Sequence, residues 1–221
     1  MNLYLLANII TCVGAFSGFL FGAARFFRPR KAGYAQMITL AVGCMAIGRL
    51  YQAIRIVTIG GDLNQFHLGL LGVIGCLLFL FSANYGLMDG IADDGSSSYR
   101  KYRLIPISVS VIAAVVYLVF FLFTEQPPTI RIAAFFVSVF VVGASYFNLK
   151  HFIFPDVEYG VIRCLRNYNL LALIFEFLCM AEMVFMSRGM AVTVLIIGIL
   201  MGGILPAIVI AVDRGIKKWS I

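Results

Sequence analysis

Two arginines and two glutamates lie in strongly apolar parts of the chain, and six residues separate the members of each pair. Arg49 and Arg55 occur in MAIGRLYQAIRIVTIGG, and Glu176 and Glu182 occur in NLLALIFEFLCMAEMVFM. A guanidinium group binds a carboxylate or phosphate through two parallel hydrogen bonds. A buried carboxyl group has a raised pKa and can exchange a proton at moderate pH. These residue types therefore suit mutual pairing, anion binding and proton-coupled binding.

The surroundings of these charges are those of a membrane protein. The chain has 221 residues, of which 62% are hydrophobic and 12% are charged, whereas soluble domains carry about 25% charged residues. Its apolar runs are about 20 residues long, the length that crosses the hydrocarbon core as a helix. A charge at the bilayer centre costs roughly 2.5–3.5 kcal/mol on insertion scales. Each buried charge therefore requires a partner or a polar cavity.

The hydropathy pattern predicts an all-α integral membrane protein, with residues 1–221 forming a single seven-helix domain. Strands of a membrane barrel would instead alternate in polarity over about 10 residues. The first span has no preceding basic segment, so we expect a retained helix and not a cleaved signal peptide. The predicted spans are about 3–27, 35–59, 66–90, 104–124, 130–149, 167–187 and 190–212.

Basic residues are concentrated on one side of these spans. Thirteen of the 17 lie in the loops after spans 1, 3 and 5 and in the C-terminal tail. Because cytoplasmic loops carry the excess of lysine and arginine, we expect the N-terminus outside, the C-terminus in the cytoplasm, and a location in the plasma (inner) membrane. The thirteen residues are Arg25, Arg28, Arg30, Lys31, Arg100, Lys101, Arg103, Lys150, Arg163, Arg166, Arg214, Lys217 and Lys218.

Spans 1 and 5 share a short sequence similarity. SGFLFGAARFF (17–27) and SVFVVGASYFN (138–148) match at five positions with a constant offset, including Gly22 with Gly143. This pattern predicts a parallel repeat of three, one and three spans, with span 4 as the linker, as occurs in some transporters. Chance similarity among small residues and phenylalanine is the alternative interpretation.

Glycines are spaced for close helix packing in two spans. Gly69, Gly72 and Gly75 occur in span 3, and Gly198 and Gly202 occur in span 7. Small residues at such spacing let helix backbones approach closely in membranes. We therefore expect these two spans to pack tightly against their neighbours.

Depth along the spans predicts which opposite charges meet. Spans 2 and 6 run in the same direction, and a helix rises about 1.5 Å per residue. Arg49 and Glu176 both fall within about 3 Å of their span midpoints, so we expect them to pair. Arg55 and Glu182 lie nearer the outer surface. Because six residues correspond to about 120° around a helix, at most one member of each like pair faces a single pocket.

The predicted ligand site lies in the outer half of the bundle, between spans 2, 3 and 6. Arg49 and Glu176 would form its floor, and the ligand would be a small polar or anionic molecule. Buried ion pairs that only fix helix packing are the alternative interpretation, and buried ion pairs are weak stabilisers compared with apolar packing. The rim would consist of Tyr51, Gln52, Arg55, His67 and Glu182.

Several function classes lack the residues that they need. The two histidines, His67 and His151, fall near opposite surfaces, which disfavours a metal or serine–histidine site. The five cysteines lack metal spacing. Residues 190–212 contain no lysine for a retinal Schiff base. Basic residues beside spans indicate topology and not nucleic-acid binding. We expect no cofactor and no metal, and we favour a non-catalytic role. The enzyme alternative is a lipid-modifying enzyme that uses Glu176 or Glu182 as its base.

Three function classes remain for this sequence. The first is a small-solute transporter with a cavity open to the outer face, which we favour because the chain shows no cytoplasmic output domain. The second is a seven-helix sensor that signals to a separate cytoplasmic protein. The third is a non-catalytic membrane assembly subunit. The expected partners are the lipid bilayer, the small ligand and either a cytoplasmic protein or further copies of the chain.

Overall fold

The computed structural model describes residues 2–28, 32–60, 67–93, 95–155 and 160–219, and it is helical throughout these ranges apart from short connections. A 3₁₀ turn at Ser97–Tyr99 precedes α5. Arg30, Lys31 and Phe66, which the sequence analysis placed in the first basic loop and the third span, lie outside the described residues. The α helices are α1 (Leu3–Phe26), α2 (Gly33–Ile59), α3 (Gly69–Leu87), α4 (Asp89–Ala92), α5 (Arg100–Leu122), α6 (Pro128–Ile153), α7 (Val161–Ser187) and α8 (Ala191–Trp219).

Seven of the described helices, all except the four-residue α4, are long and apolar enough to cross a membrane. The predicted all-helical fold with seven membrane-length helices is therefore confirmed, and it is compatible with a polytopic membrane protein. Several helices extend past the predicted spans: α7 begins at Val161 instead of 167, and α8 continues to Trp219 instead of 212. Hydropathy marks only the hydrocarbon-facing part of a helix, whereas the backbone hydrogen bonds continue into polar flanks.

Six helices form a closed ring. Around the ring, α1 contacts α2, α2 contacts α3, α3 contacts α6, α6 contacts α7, α7 contacts α8, and α8 returns to α1. In this order α2 and α7 lie opposite each other. The remaining long helix, α5, packs outside the ring, mainly against α6. Many large side chains of α5 are exposed, such as Ile112 and Val116, as expected for a helix that faces lipid on most sides.

Glycines bring two helix pairs into backbone contact, as the sequence analysis predicts. A Cβ on Gly14 of α1 would lie 2.0 Å from the carbonyl oxygen of Gly202 in α8. A Cβ on Gly72 of α3 would lie 2.5 Å from the Cα of Gly48 in α2. Any larger residue would therefore push these helices apart. The contact at Gly48 sits directly beside Arg49, so it also determines where that arginine lies.

The ring places two groups of three consecutive spans, α1–α3 and α6–α8, side by side. The two glycines that match in the repeat alignment have different surroundings, however. Gly22 of α1 packs against Thr39 of α2, whereas Gly143 of α6 packs against Phe81 of α3. In a parallel repeat α6 would correspond to α1 and α7 to α2, so Gly143 would face α7. The matched residues therefore occupy non-corresponding positions, and the repeat stays a prediction.

We call the end of the bundle where lysines and arginines are concentrated the basic end, and the other end the opposite end. At the basic end, α1, α3, α6 and α8 finish and α2, α5 and α7 begin; at the opposite end, these helices have their other termini. Four glycines with positive φ mark the connections of the described chain, namely Gly60 (φ 62°), Gly95 (φ 80°), Gly160 (φ 67°) and Gly189 (φ 69°). Gly60 and Gly189 lie at the opposite end, and Gly160 lies at the basic end beside the start of α7.

Candidate functional site

A buried ion pair crosses the centre of the ring. The Arg49 Nη1 atom on α2 donates to Glu182 Oε1 on α7 at 2.7 Å, and Nη2 donates to Oε2 of the same carboxylate. The side chains of Arg49 and Glu182 are 4% and 6% exposed. Because α2 and α7 are opposite members of the ring, this two-point pair lies on the axis of the bundle. It links the two halves of the ring through charge.

Two amide side chains complete this region, which we call the charged cluster (Asn8, Arg49, Gln52 and Glu182). Arg49 Nη1 also donates to Asn8 Oδ1 at 3.2 Å and to Gln52 Oε1 at 3.4 Å. The Asn8 Nδ2 atom donates to the Tyr4 carbonyl at 2.8 Å, which fixes the oxygen toward the arginine. The amide oxygens therefore hold the guanidinium plane in one orientation.

The predicted pair of Arg49 with Glu176 is wrong, because Glu182 takes that place. Glu176 and Glu182 are six residues apart, so they point in directions about 120° apart around α7. Glu182 faces α2 across the ring, and Glu176 faces the neighbouring helix α6. Depth counted from span midpoints ignores this rotation and any axial shift between helices. An arginine side chain also reaches several ångströms along the axis, so depth alone does not select its partner.

Glu176 belongs instead to a hydrogen-bonded network. It is 0% exposed, and its Oε1 atom accepts a hydrogen bond from Asn148 Nδ2 of α6 at 2.6 Å. The Asn148 Oδ1 atom accepts from Asn84 Nδ2 of α3 at 2.9 Å. Glu176 Oε2 has no hydrogen-bond partner among the described residues. This carboxyl group thus has an amide neighbour where Glu182 has a guanidinium.

Two tyrosines extend this network toward the basic end. The Tyr34 hydroxyl of α2 donates to Asn84 Oδ1 at 3.3 Å, and Asn84 Nδ2 also donates to the Tyr168 hydroxyl of α7 at 3.3 Å. We call the set Tyr34, Asn84, Asn148, Tyr168 and Glu176 the carboxyl–amide network. The sequence analysis did not assign these residues to the site apart from Glu176. Asparagines inside apolar spans were the available signal, because such side chains bond across helices in membranes.

Two thiols lie between the charged cluster and the carboxyl–amide network. Cys76 of α3 and Cys179 of α7 are 1% and 2% exposed. Each is within electrostatic range of the other and of both Arg49 and Glu176. Polar side chains therefore follow one another along the ring axis, and we call this succession the polar column. It consists of the charged cluster, these two thiols and the carboxyl–amide network.

Three buried nitrogen atoms near the charged cluster lack hydrogen-bond partners among the described residues. They are Arg49 Nε and both ring nitrogens of His67. His67 is 5% exposed and lies just before α3, outside the spanning segments. Burial first, and then the positive charges of Arg55 and Arg49, lower the pKa of His67 to about 4. Its imidazole is therefore neutral at physiological pH, with one nitrogen able to donate and the other able to accept.

The other predicted rim residues occupy different environments. Gln52 is 5% exposed and belongs to the charged cluster, whereas Tyr51 is 39% exposed on the outer face of α2. Arg55 is half-buried about one and two-thirds turns beyond Arg49 and contributes positive charge at His67. The structure thus brings Arg49, Gln52, His67 and Glu182 together and directs Tyr51 away from them.

A second group of charges lies at the basic end. Lys150 Nζ contacts Asp89 Oδ1 at 2.6 Å and Asp93 Oδ2 at 2.7 Å. Arg103 donates to both carboxylate oxygens of Asp93, each at 2.6 Å, and these bonds hold the pKa of Asp93 well below its ordinary value. His151 Nε2 lies 3.2 Å from Asp89. This group ties α6 to the connection between α3 and α5, and the sequence analysis did not predict it.

Four cavities bounded by described residues have volumes of about 410, 490, 530 and 30 Å³, and Arg49 lines none of these four. The smallest is lined by Tyr34, Leu165 and Trp219 at the basic end. The carboxyl–amide network therefore ends, at Tyr34, beside a small partly open pocket. The chain matches no family model, no curated protein and no solved structure.

Proposed function

We propose that this polytopic membrane protein is a small-solute transporter that binds a small anionic solute at the charged cluster. The observation that carries this proposal is the two-point Arg49–Glu182 pair on the ring axis. Beside it lie nitrogens of Arg49 and His67 that have no hydrogen-bond partner in the part of the chain that the structure describes. Most buried polar atoms in proteins have a partner, so such atoms require an explanation. A bound carboxylate or phosphate would supply the missing acceptors.

Exchange of carboxylates at Arg49 provides the binding step. The Glu182 carboxylate occupies the two guanidinium nitrogens that a solute carboxylate would use. Protonation of Glu182 removes its charge and weakens its hold on Arg49, so an anionic solute can replace it. Solute and proton then enter together, which couples binding to the proton gradient. Asn8 and Gln52 keep the guanidinium in place during this exchange, because their oxygens bond the same Nη1 atom.

The polar column supports movement along the axis. The carboxyl group of Glu176 lies between the charged cluster and the tyrosines at the basic end. Ionisable groups inside membranes are costly and commonly mark solute or proton pathways. In the proposed mechanism Glu176 is neutral at rest and passes a proton between the charged cluster and the basic end.

A purely structural ion pair is the competing assignment, and the two-point geometry of Arg49 with Glu182 is compatible with it. Ligand binding distinguishes the two. Purified protein is screened by thermal unfolding against small carboxylates, phosphates and zwitterions at pH 5 and pH 7.5. We expect an anion to stabilise the protein more at pH 5. The variant Glu182→Gln should bind it about 10-fold more tightly, because the internal competitor has lost its charge.

Matched variants make this screen decisive. Glu125→Gln is the control, because Glu125 is an exposed residue near the same end of the bundle. Arg49→Lys keeps the charge but loses the planar two-point geometry, so it should abolish anion stabilisation. An anion whose binding is the same in Arg49→Lys and wild type contradicts recognition by Arg49. If Glu182→Gln binds no anion, the pair is structural.

Uptake separates a transporter from a ligand-binding sensor. The bound anion identified above is supplied in radiolabelled form to proteoliposomes, with and without an inward proton gradient. We expect accumulation that depends on the gradient and is lost in Arg49→Lys. Binding without accumulation would assign the protein to the sensor class, in which the charged cluster signals through α7 to a cytoplasmic partner.

In the proposed orientation the protein lies in the plasma (inner) membrane with its basic end on the cytoplasmic side, because that end carries most of the lysines and arginines. Ser97→Cys at the basic end and Glu125→Cys at the opposite end test it. An impermeant maleimide applied to intact cells should label Glu125→Cys and should label Ser97→Cys only after permeabilisation. Labelling of Ser97→Cys in intact cells would show that the orientation is the opposite of the one proposed.

A further inference from the structure

We propose that a groove between α7 and α8 at the basic end binds one anionic phospholipid. The groove has a volume of about 410 Å³, and none of its described lining residues belongs to the polar column. It is therefore separate from the solute site, and the two proposals stand or fall independently.

The lining of the groove changes from polar to apolar along the helices. Arg214 and Lys218 of α8 and Asn167 of α7 lie at the basic end of the groove, and Leu171, Ala207 and Ile210 line the deeper part. From Lys218 to Ala207 the groove follows α8 for about 16 Å. A phospholipid has the same distribution, with a charged headgroup at the surface and an acyl chain in the hydrocarbon. This match favours a lipid over a free phosphate ion.

The charges at the basic end of α8 are distributed between two faces. Asp213 pairs with Arg25 at 2.8 Å and with Lys217 at 2.5 Å, so these two cations are engaged by protein. Arg214 and Lys218 are one turn apart on a shared face and line the groove. No carboxylate oxygen in the described part of the chain lies within 4.0 Å of either. Their net charge is therefore available to an anionic headgroup.

Small residues form the floor of the groove. Ala207, Ala211 and Gly215 occupy one face of α8. At Gly215 a Cβ would lie 2.8 Å from the Cys164 carbonyl oxygen, so the two helices touch there. The groove is thus a fixed gap between packed helices that needs no side chain to move. Basic pockets between membrane helices on the cytoplasmic side bind anionic headgroups in this way.

Native mass spectrometry of the detergent-solubilised protein, titrated with phosphatidylglycerol or phosphatidylcholine, tests the proposal. We expect one phosphatidylglycerol to be retained in preference to phosphatidylcholine. The variant Arg214→Gln/Lys218→Gln should bind phosphatidylglycerol about 10-fold more weakly. Arg100→Gln/Lys101→Gln, which removes two exposed charges from the same end on α5, is the matched control and should bind as wild type does.

Filling the apolar half tests the groove itself. Ala207→Phe leaves both charges in place and should also reduce phosphatidylglycerol retention, because the bulky ring occupies the acyl-chain part. Unchanged retention in Ala207→Phe would show attraction to surface charge alone and overturn the groove assignment. Equal retention of the two lipids by wild type, or an equal loss in the Arg100→Gln/Lys101→Gln control, would overturn it as well.

Discussion

Glu176 and Glu182 lie on the same helix, both buried, and yet they have opposite kinds of partner. Glu182 receives two hydrogen bonds from the Arg49 guanidinium across the ring. Glu176 receives one from the Asn148 amide of the adjacent helix, and no lysine, arginine or histidine among the described residues lies within 4.0 Å of its oxygens. One carboxyl group is compensated by charge, and the other only by a dipole.

The difference shows how a membrane bundle can hold two carboxyl groups for different tasks. An ionised carboxylate without a counter-charge is very costly in a low-dielectric environment, so the neutral acid is the form that suits Glu176. Glu182 faces the Arg49 guanidinium, so each of these two side chains has a counter-charge. The four predictions that follow test this contrast, in order of decreasing expected effect.

The largest effect is expected when the charge pair is broken. Glu182→Gln leaves the Arg49 guanidinium buried without its counter-charge and should lower the free energy of unfolding by about 3–5 kcal/mol. Unfolding by sodium dodecyl sulfate in mixed micelles measures it. Arg49→Gln in the Glu182→Gln background should recover much of the loss. Strictly additive losses in this cycle would show that the two side chains do not interact.

A smaller loss is expected when the amide beside Glu176 is removed. Asn148→Leu deprives Glu176 Oε1 of its donor and Asn84 Nδ2 of one of its two acceptors, and it should cost about 1–3 kcal/mol. Asn169→Leu is the matched control, because among the described residues Asn169 bonds only the Leu165 carbonyl of its own helix. The same unfolding assay compares them. Equal losses in the two variants would mean that the bond between α6 and α7 contributes no specific stability.

Titration of His67, beside the charged cluster, makes the stability of the protein depend on pH. Its pKa of about 4 in the folded protein lies below the ordinary 6.5. As pH falls through this interval the unfolded chain binds the proton first, so stability is complete above about pH 6.5 and declines toward pH 4. His67→Gln should remove this part of the decline, measured as unfolding midpoints between pH 4 and 7. His151→Gln is the control that retains the His67 contribution. An unaltered decline in His67→Gln would show that the lowered pKa of His67 is not the cause of the decline.

The smallest effect is expected from Glu176→Gln. Glutamine keeps an oxygen acceptor for Asn148 and has nearly the shape of the neutral acid, so the loss should stay below about 1 kcal/mol. The informative quantity is the difference from Glu182→Gln, measured in the same micelles. A loss from Glu176→Gln as large as that from Glu182→Gln would show that Glu176 is ionised and compensated, and the contrast between the two glutamates would disappear.

The fold class and most helix positions could be predicted from the sequence for one reason. A bilayer leaves the backbone few ways to satisfy its hydrogen bonds, so runs of about 20 apolar residues form spanning helices. Glycine spacing also predicted the tight contacts of Gly72 and Gly202, because only the missing side chain permits them. These are properties of single segments, and each can be recognised without knowing its neighbours.

Only part of the candidate site could be predicted from the sequence. Arg49, Gln52, His67 and Glu182 were predicted and lie together, but Arg49 was assigned to Glu176. Other members of the polar column, such as Asn148 and Tyr168, were missed.

The sequence by itself determined that the charges are buried in a helical membrane bundle, because composition and hydropathy require it. The tertiary structure decided which charges meet. That choice depends on the order of helices around the ring, which places α2 opposite α7 and α6 beside it. It depends also on the rotation of α7, which separates Glu176 from Glu182 by about 120°. Neither quantity is a property of one segment, because both arise only when all six helices of the ring pack together.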